Sequence, residues 1–198
     1  MKRYFTNVNT SFIKSALAIV MLITLSCAAQ SQSLNANWKQ DLTNAMKTFL
    51  GCQDTLNNSR GCSKFLGESL HIVYRINDFY SQKTGRYMVA GEIASFLKSS
   101  NQWKLLGPSY DQKTLTQAQE HANAKKAVVA VYTSTSGSSH VVLINPGVLQ
   151  SSGSWGLSVP TATSFLLSQP DRSFVDKGLS FAFGKLLMKD VSIYVRSY

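Results

Sequence analysis

The pattern of apolar positions changes its period along the chain. From Ser33 to Leu50, apolar side chains at Trp38, Leu42, Ala45, Met46 and Phe49-Leu50 recur three or four residues apart, which predicts an amphipathic helix with Asn35 or Asn37 at its head. Gly51 ends it. A second helical stripe opens at Cys62 and runs through Phe65, Leu66, Ser69, Leu70, Val73 and Tyr74, ending near Asn77 to Tyr80. A third covers Val89 to Leu97, with Ile93, Phe96 and Leu97 inward, and a weaker one runs from Thr114 or Thr116 to Ala124. Ser81 to Tyr87 reads as a loop and Asn101 to Tyr110 as irregular chain.

Beyond Lys125-Lys126 the period shortens. Ala127 to Tyr132 is an unbroken run dominated by β-branched residues, as in a buried strand. Thr133 to Ser139 is a Ser/Thr/Gly turn, and His140 to Ile144 returns as a second strand, so the pair predicts a hairpin. Val159 to Leu167 and Lys177 to Phe183 fit either period. Val191 to Arg196 alternates cleanly and predicts the last strand. Helices first and strands afterwards give an α+β class, with N-terminal helices packed on a small antiparallel sheet.

Charge and export signals narrow the setting. Lys2-Arg3, the apolar run Ala16 to Leu25 and the small residues Ser26-Cys27-Ala28-Ala29 have the order of an export signal, and the run is short for a membrane span. This divides the chain into a signal peptide, 1–29, and one domain, 30–198. Cleavage after Ala29 leaves a soluble periplasmic or secreted protein. Cleavage before Cys27 leaves a lipid anchor on that cysteine, its only expected link to a membrane. Thr24-Leu25-Ser26-Cys27 is similar to a lipobox, with Thr24 where an aliphatic residue is usual. The formal net charge is +10, and without the leader cations Lys2, Arg3 and Lys14 it is about +7. That balance suits an anionic surface such as cell wall or lipid headgroups. No dense basic run or nucleic-acid motif accompanies it, so nucleic acid is not an expected partner.

Candidate chemistry rests on few residues. Cys62 follows Gly61 and heads a buried helix, where free N–H groups and the helix dipole favour a thiolate. The same N–H groups suit an oxyanion, and glycine permits close approach of a substrate. Cys52 lies in a turn-rich stretch, either as a bystander or as a disulfide partner of Cys62. His140 starts an apolar strand after a flexible turn, and Asn145 follows that strand at Pro146-Gly147. Residues five apart on a regular strand face opposite ways. Asn145 therefore holds His140 only if the chain bends near Ile144, and Ser158, Asp111 and Gln150 are reserves. His71 and His121 read as ordinary helix residues. Scattered cysteines and histidines give no metal-ligand spacing, and no glycine motif calls for a nucleotide, so neither metal nor cofactor is expected. Trp155 lies between glycines in a loop and could wall a groove, as could Trp103 and Tyr110.

A cysteine at a helix head followed by a strand-start histidine resembles the papain-like order. Ser139-His140 stands where compact cell-wall hydrolases of that superfamily (CHAP and NlpC-type amidases and endopeptidases, type VI secretion amidase effectors) carry Gly-His. Asn145 stands at their later polar position. The lead-in Ala118-Gln119, Ala122-Asn123 and Val128 to Val131 is similar too. The resemblance spans about Asn58 to Gly147. It implies a papain-like fold and a cysteine peptidase or amidase acting on peptidoglycan stem peptides. Cys62 would attack, His140 would pair with it and protonate the leaving amine, and Asn145 would orient the imidazole. Gly61, Ser139 and Trp155 would border the substrate groove. The sequence leaves open any inhibitor or immunity partner. The competing expectations are a secreted binding module stapled by a Cys52–Cys62 disulfide, and an inactive papain-like domain that binds wall peptides.

Overall fold

The computed structural model describes residues 33–52 and 59–198, with Ser59 and Arg60 described in their backbone alone. The expected signal peptide, 1–29, and the Cys27 anchor site lie outside these residues. The elements in chain order begin with α1 (Trp38–Leu50), α2 (Ser59–Cys62) and α3 (Lys64–Tyr74). A small hairpin, β1 (Tyr80–Ser81) and β2 (Arg86–Tyr87), precedes α4 (Ala90–Ser99) and β3 (Trp103–Pro108). Then come α5 (Gln112–Asn123), β4 (Val128–Thr133), β5 (Ser139–Ile144), β6 (Gln150–Ser152) and β7 (Leu157–Val159). The chain continues with β8 (Thr161–Ser164), β9 (Phe174–Gly178), short 3-10 turns and β10 (Val191–Arg196).

One sheet organises the fold. Its strand order is β3-β10-β4-β5-β8-β9, and every neighbouring pair is antiparallel. The class is therefore α+β with an antiparallel sheet. Alternate residues supply the two faces. Val129, Val131, Val141, Leu143 and Tyr194 join α1, α3 and α4 in one core. Val128, Ala130, Val142, Ile144 and Ile193 join α5 and the β6–β7 hairpin in the other. Because both faces are covered, β4 and β5 read in sequence as continuous apolar runs rather than alternating ones.

Several expectations needed correction at the element ends. The helix expected to open at Cys62 comes in two pieces, with α2 closing at Cys62 and α3 starting at Lys64. It stops at Tyr74, because Arg75 takes the left-handed conformation (φ 56°) and its N–H closes on His71. Asp111, not a threonine, caps α5 by accepting from the Lys113 N–H. Asn101 to Tyr110 contains the edge strand β3, whose exposed Lys104 and Leu105 and its Gly107-Pro108 end conceal any strand alternation. Ser81 to Tyr87 carries the β1–β2 hairpin, turned at Gly85 (φ 64°).

The helices are tied to the sheet at identifiable atoms. The buried Tyr74 hydroxyl donates to the Ile144 carbonyl at 2.9 Å, and burial pushes its pKa well up, so it stays a donor. Gly67 meets the hairpin so closely that a Cβ there would lie 3.0 Å from Tyr87 Cβ. Asp78 accepts from Trp103 Nε1 at 2.9 Å and Arg196 Nε at 2.6 Å, which joins the α3–β1 loop to two sheet strands. No helix among the described residues is long and apolar enough to cross a membrane.

Candidate functional site

α3 and β5 are packed together and run in the same direction. Tyr74 at the end of α3 is bonded to Ile144 at the end of β5. A helix rises ~1.5 Å per residue and a strand ~3.3 Å, so the twelve residues back to Cys62 and the four or five back to His140 or Ser139 cover similar distances. The head of the helix and the start of the strand therefore meet. There they border one cavity of about 310 Å³, whose lining includes Cys62, Ser63, Ser139 and His140. The cavity opens where β5 and β8 diverge. They pair at Leu143–Thr163 and Ile144–Ala162, and the pairing stops short of His140.

Both candidate groups line the cavity, but they belong to opposite faces of the sheet and are engaged with other partners: Cys62 lies in the α1–α3–α4 core, whereas His140 has the strand parity of Val142 and Ile144. Cys62 is disulfide-bonded to Cys52, and it is buried. The expected free nucleophile at a helix head is corrected to an oxidised cysteine that ends a short turn. The half-buried His140 ring packs edge-on against Phe183, with centroids 5.5 Å apart. Its Nε2 lies 2.9 Å from Ser164 Oγ. Burial lowers its pKa to about 4. At neutral pH the imidazole is uncharged, so the expected preformed thiolate–imidazolium pair is absent. Nε2–H donating to the serine would leave Nδ1 as the lone-pair nitrogen.

Asn145 does not hold His140. The β4–β5 register runs unbroken from Ser139 to Ile144, so the required bend is missing and strand parity prevails. Asn145 is fully buried, and its amide donates to Thr163 Oγ1 at 2.7 Å. The Asn145 backbone carbonyl accepts from Gln119 Nε2 at 3.0 Å, while Gln119 Oε1 accepts from the Thr161 N–H. Asn123 similarly brackets both backbone groups of Gly147. The Asn145-Pro146-Gly147 turn is thus a docking point for α5. The reserves are also engaged elsewhere: Asp111 caps α5, Gln150 donates to Thr161 Oγ1, and Gln112 holds the Ser158 backbone.

The groove expectations divide. Ser139 borders the cavity, whereas Gly61 is not among its lining residues. Trp155 is buried in the opposite core, where its Nε1–H donates to the Phe183 carbonyl at 3.1 Å. Trp103 is buried too, and Tyr110 is exposed away from the cavity. Sequence reasoning missed Ser164 because it ends an ambiguous stretch and no spacing marks it. It is buried on β8, and β8 is placed beside β5 only by the fold.

Comparison with known proteins adds no assignment. The chain matches no protein-family model and no curated protein.

Proposed function

We propose that the chain is an exported cysteine hydrolase of papain-like arrangement, cleaving amide bonds in peptidoglycan stem peptides, with the Cys52–Cys62 disulfide as its resting form. The observation that carries this reading is the cavity lined by both Cys62, at the end of α2, and His140, at the start of β5. The charge of about +7 left without the leader cations, the leader itself and the resemblance stated above favour an anionic wall as the setting.

In this reading a dithiol reductant delivers two electrons and two protons to the disulfide, freeing both thiols. Neutral His140 then takes the Cys62 proton as the sulfur bonds to the substrate carbonyl carbon. The C–N bond breaks as that proton passes to the leaving amine. Water, deprotonated by the same imidazole, cleaves the acyl thioester and restores the thiol. Ser164 holds the ring through Nε2, the role first expected of Asn145.

The disulfide favours a second reading, a stapled binding module. Purified peptidoglycan incubated with the mature chain separates the two, with released peptides followed by mass spectrometry. Release that needs reductant and disappears in Cys62→Ala is the expected result. Wall binding without release in either redox state would replace the enzyme with the module.

A further inference from the structure

The cavity wall has a chemistry of its own. Leu66, in the first turn of α3, lines the cavity together with Cys62, which ends α2. Across the cavity run Phe165, Leu166 and Leu167, which continue the chain directly from the Ser164 that contacts His140. Ala90, at the start of α4, completes this apolar side. Phe165 is also stacked on Phe65 and meets Phe49 edge-on, so the wall is anchored in the core. Leu167 is 42% exposed and forms the rim. The volume of about 310 Å³ is at the low end of the roughly 300–1,000 Å³ usual for ligand sites, which suits one side chain with its peptide group.

We infer that this cavity is a specificity site for an uncharged aliphatic residue next to the scissile amide, a selection that rests on the hydrolase reading for its purpose. The wall is built from the chain segments adjoining the two reacting groups, so an apolar side chain seated on it brings its own carbonyl toward Cys62. Moving a methylene from water to such a wall is favourable by a factor of about four when burial is complete. A charged side chain entering the same space loses hydration without gaining a partner from Leu66 or the 165–167 segment.

The test reads the site without requiring catalysis. Reduced full-length protein is reacted with N-methyl, N-ethyl, N-propyl and N-butyl maleimide, the Cys62 adduct is quantified by peptide mapping, and rates are normalised to glutathione. A rise of at least twofold per methylene is expected, with Leu167→Asp flattening the series. A flat series in the wild-type protein would overturn the aliphatic site. So would a slope unchanged in Leu167→Asp, which would move the apolar contact elsewhere. In parallel, peptide amides carrying alanine, leucine, glutamate or lysine at the scissile bond are offered to the reduced protein. A steep maleimide series with no hydrolysis of any peptide removes the hydrolase and leaves the site. Hydrolysis that prefers glutamate or lysine tenfold keeps the hydrolase and removes the aliphatic selection.

Discussion

Asn145, expected to orient His140, bonds Thr163 instead, and Ser164, of which nothing was expected, contacts the imidazole; each can be tested separately. Asn145→Ala removes a buried donor to Thr163 and should lower stability by about 1–2 kcal/mol, read as a denaturation midpoint. Any hydrolysis per folded molecule should remain within a few-fold of wild type. Under the proposed function, Ser164→Ala, which deletes the His140 contact, should reduce turnover by at least tenfold. His140 also makes the fold sensitive to acid. Its pKa is about 4 when folded and near 6.5 when unfolded, so between those values the unfolded chain binds the extra proton. This contribution to stability is complete above pH 6.5 and is lost as pH falls toward 4. Discounted for partial exposure, the loss is about 2 kcal/mol. His140→Asn should lack that increment when urea midpoints are compared at pH 7 and pH 4.5. His140 was visible in the sequence as a candidate. The partner of the imidazole was not, because side-chain pairing across strands depends on which strands become neighbours.

At the level of elements, the alignment of α3 with β5 decides whether a site exists. Tyr74→Phe keeps the ring in place and removes its donor from the buried Ile144 carbonyl, so a loss of about 1–3 kcal/mol is expected in thermal or urea unfolding. Faster hydrogen exchange over Val141 to Ile144 should accompany it. The helical stripes of α1, α3 and α4 and the strands β4, β5 and β10 were legible because one-sided or full burial leaves a plain apolar period. β3 was hidden by its edge position, where Lys104 and Leu105 face solvent. The β6–β7 hairpin was hidden by strands of three residues, too short for any period to show.

For the whole molecule, the disulfide joins the segment after α1 to the end of α2 across ten residues of sequence. A loop of that size stabilises the folded state by roughly 2–3 kcal/mol in the chain-entropy picture. Cys52→Ser should therefore lower the unfolding midpoint by a comparable amount. It should also leave one alkylatable thiol at Cys62 without added reductant, measured by intact mass after iodoacetamide. Under the proposed function the same variant hydrolyses peptidoglycan in the absence of dithiol. An unchanged midpoint together with no new thiol would mean that the two cysteines are not joined in solution.

The sequence alone determined the α+β class, the main helices and strands and the central hairpin, and it singled out Cys62 and His140, two of the residues that line the cavity. Those features follow from local periodicity and from residue chemistry, which neighbouring positions in the chain are enough to express. Tertiary structure decided the oxidation partner of Cys62, the neutral state of His140, its contact with Ser164 and the structural duty of Asn145. Each of these depends on groups brought together from separate segments by the covered sheet. Burial between two cores, rather than sequence spacing, sets what those groups can bond and which charge they can carry.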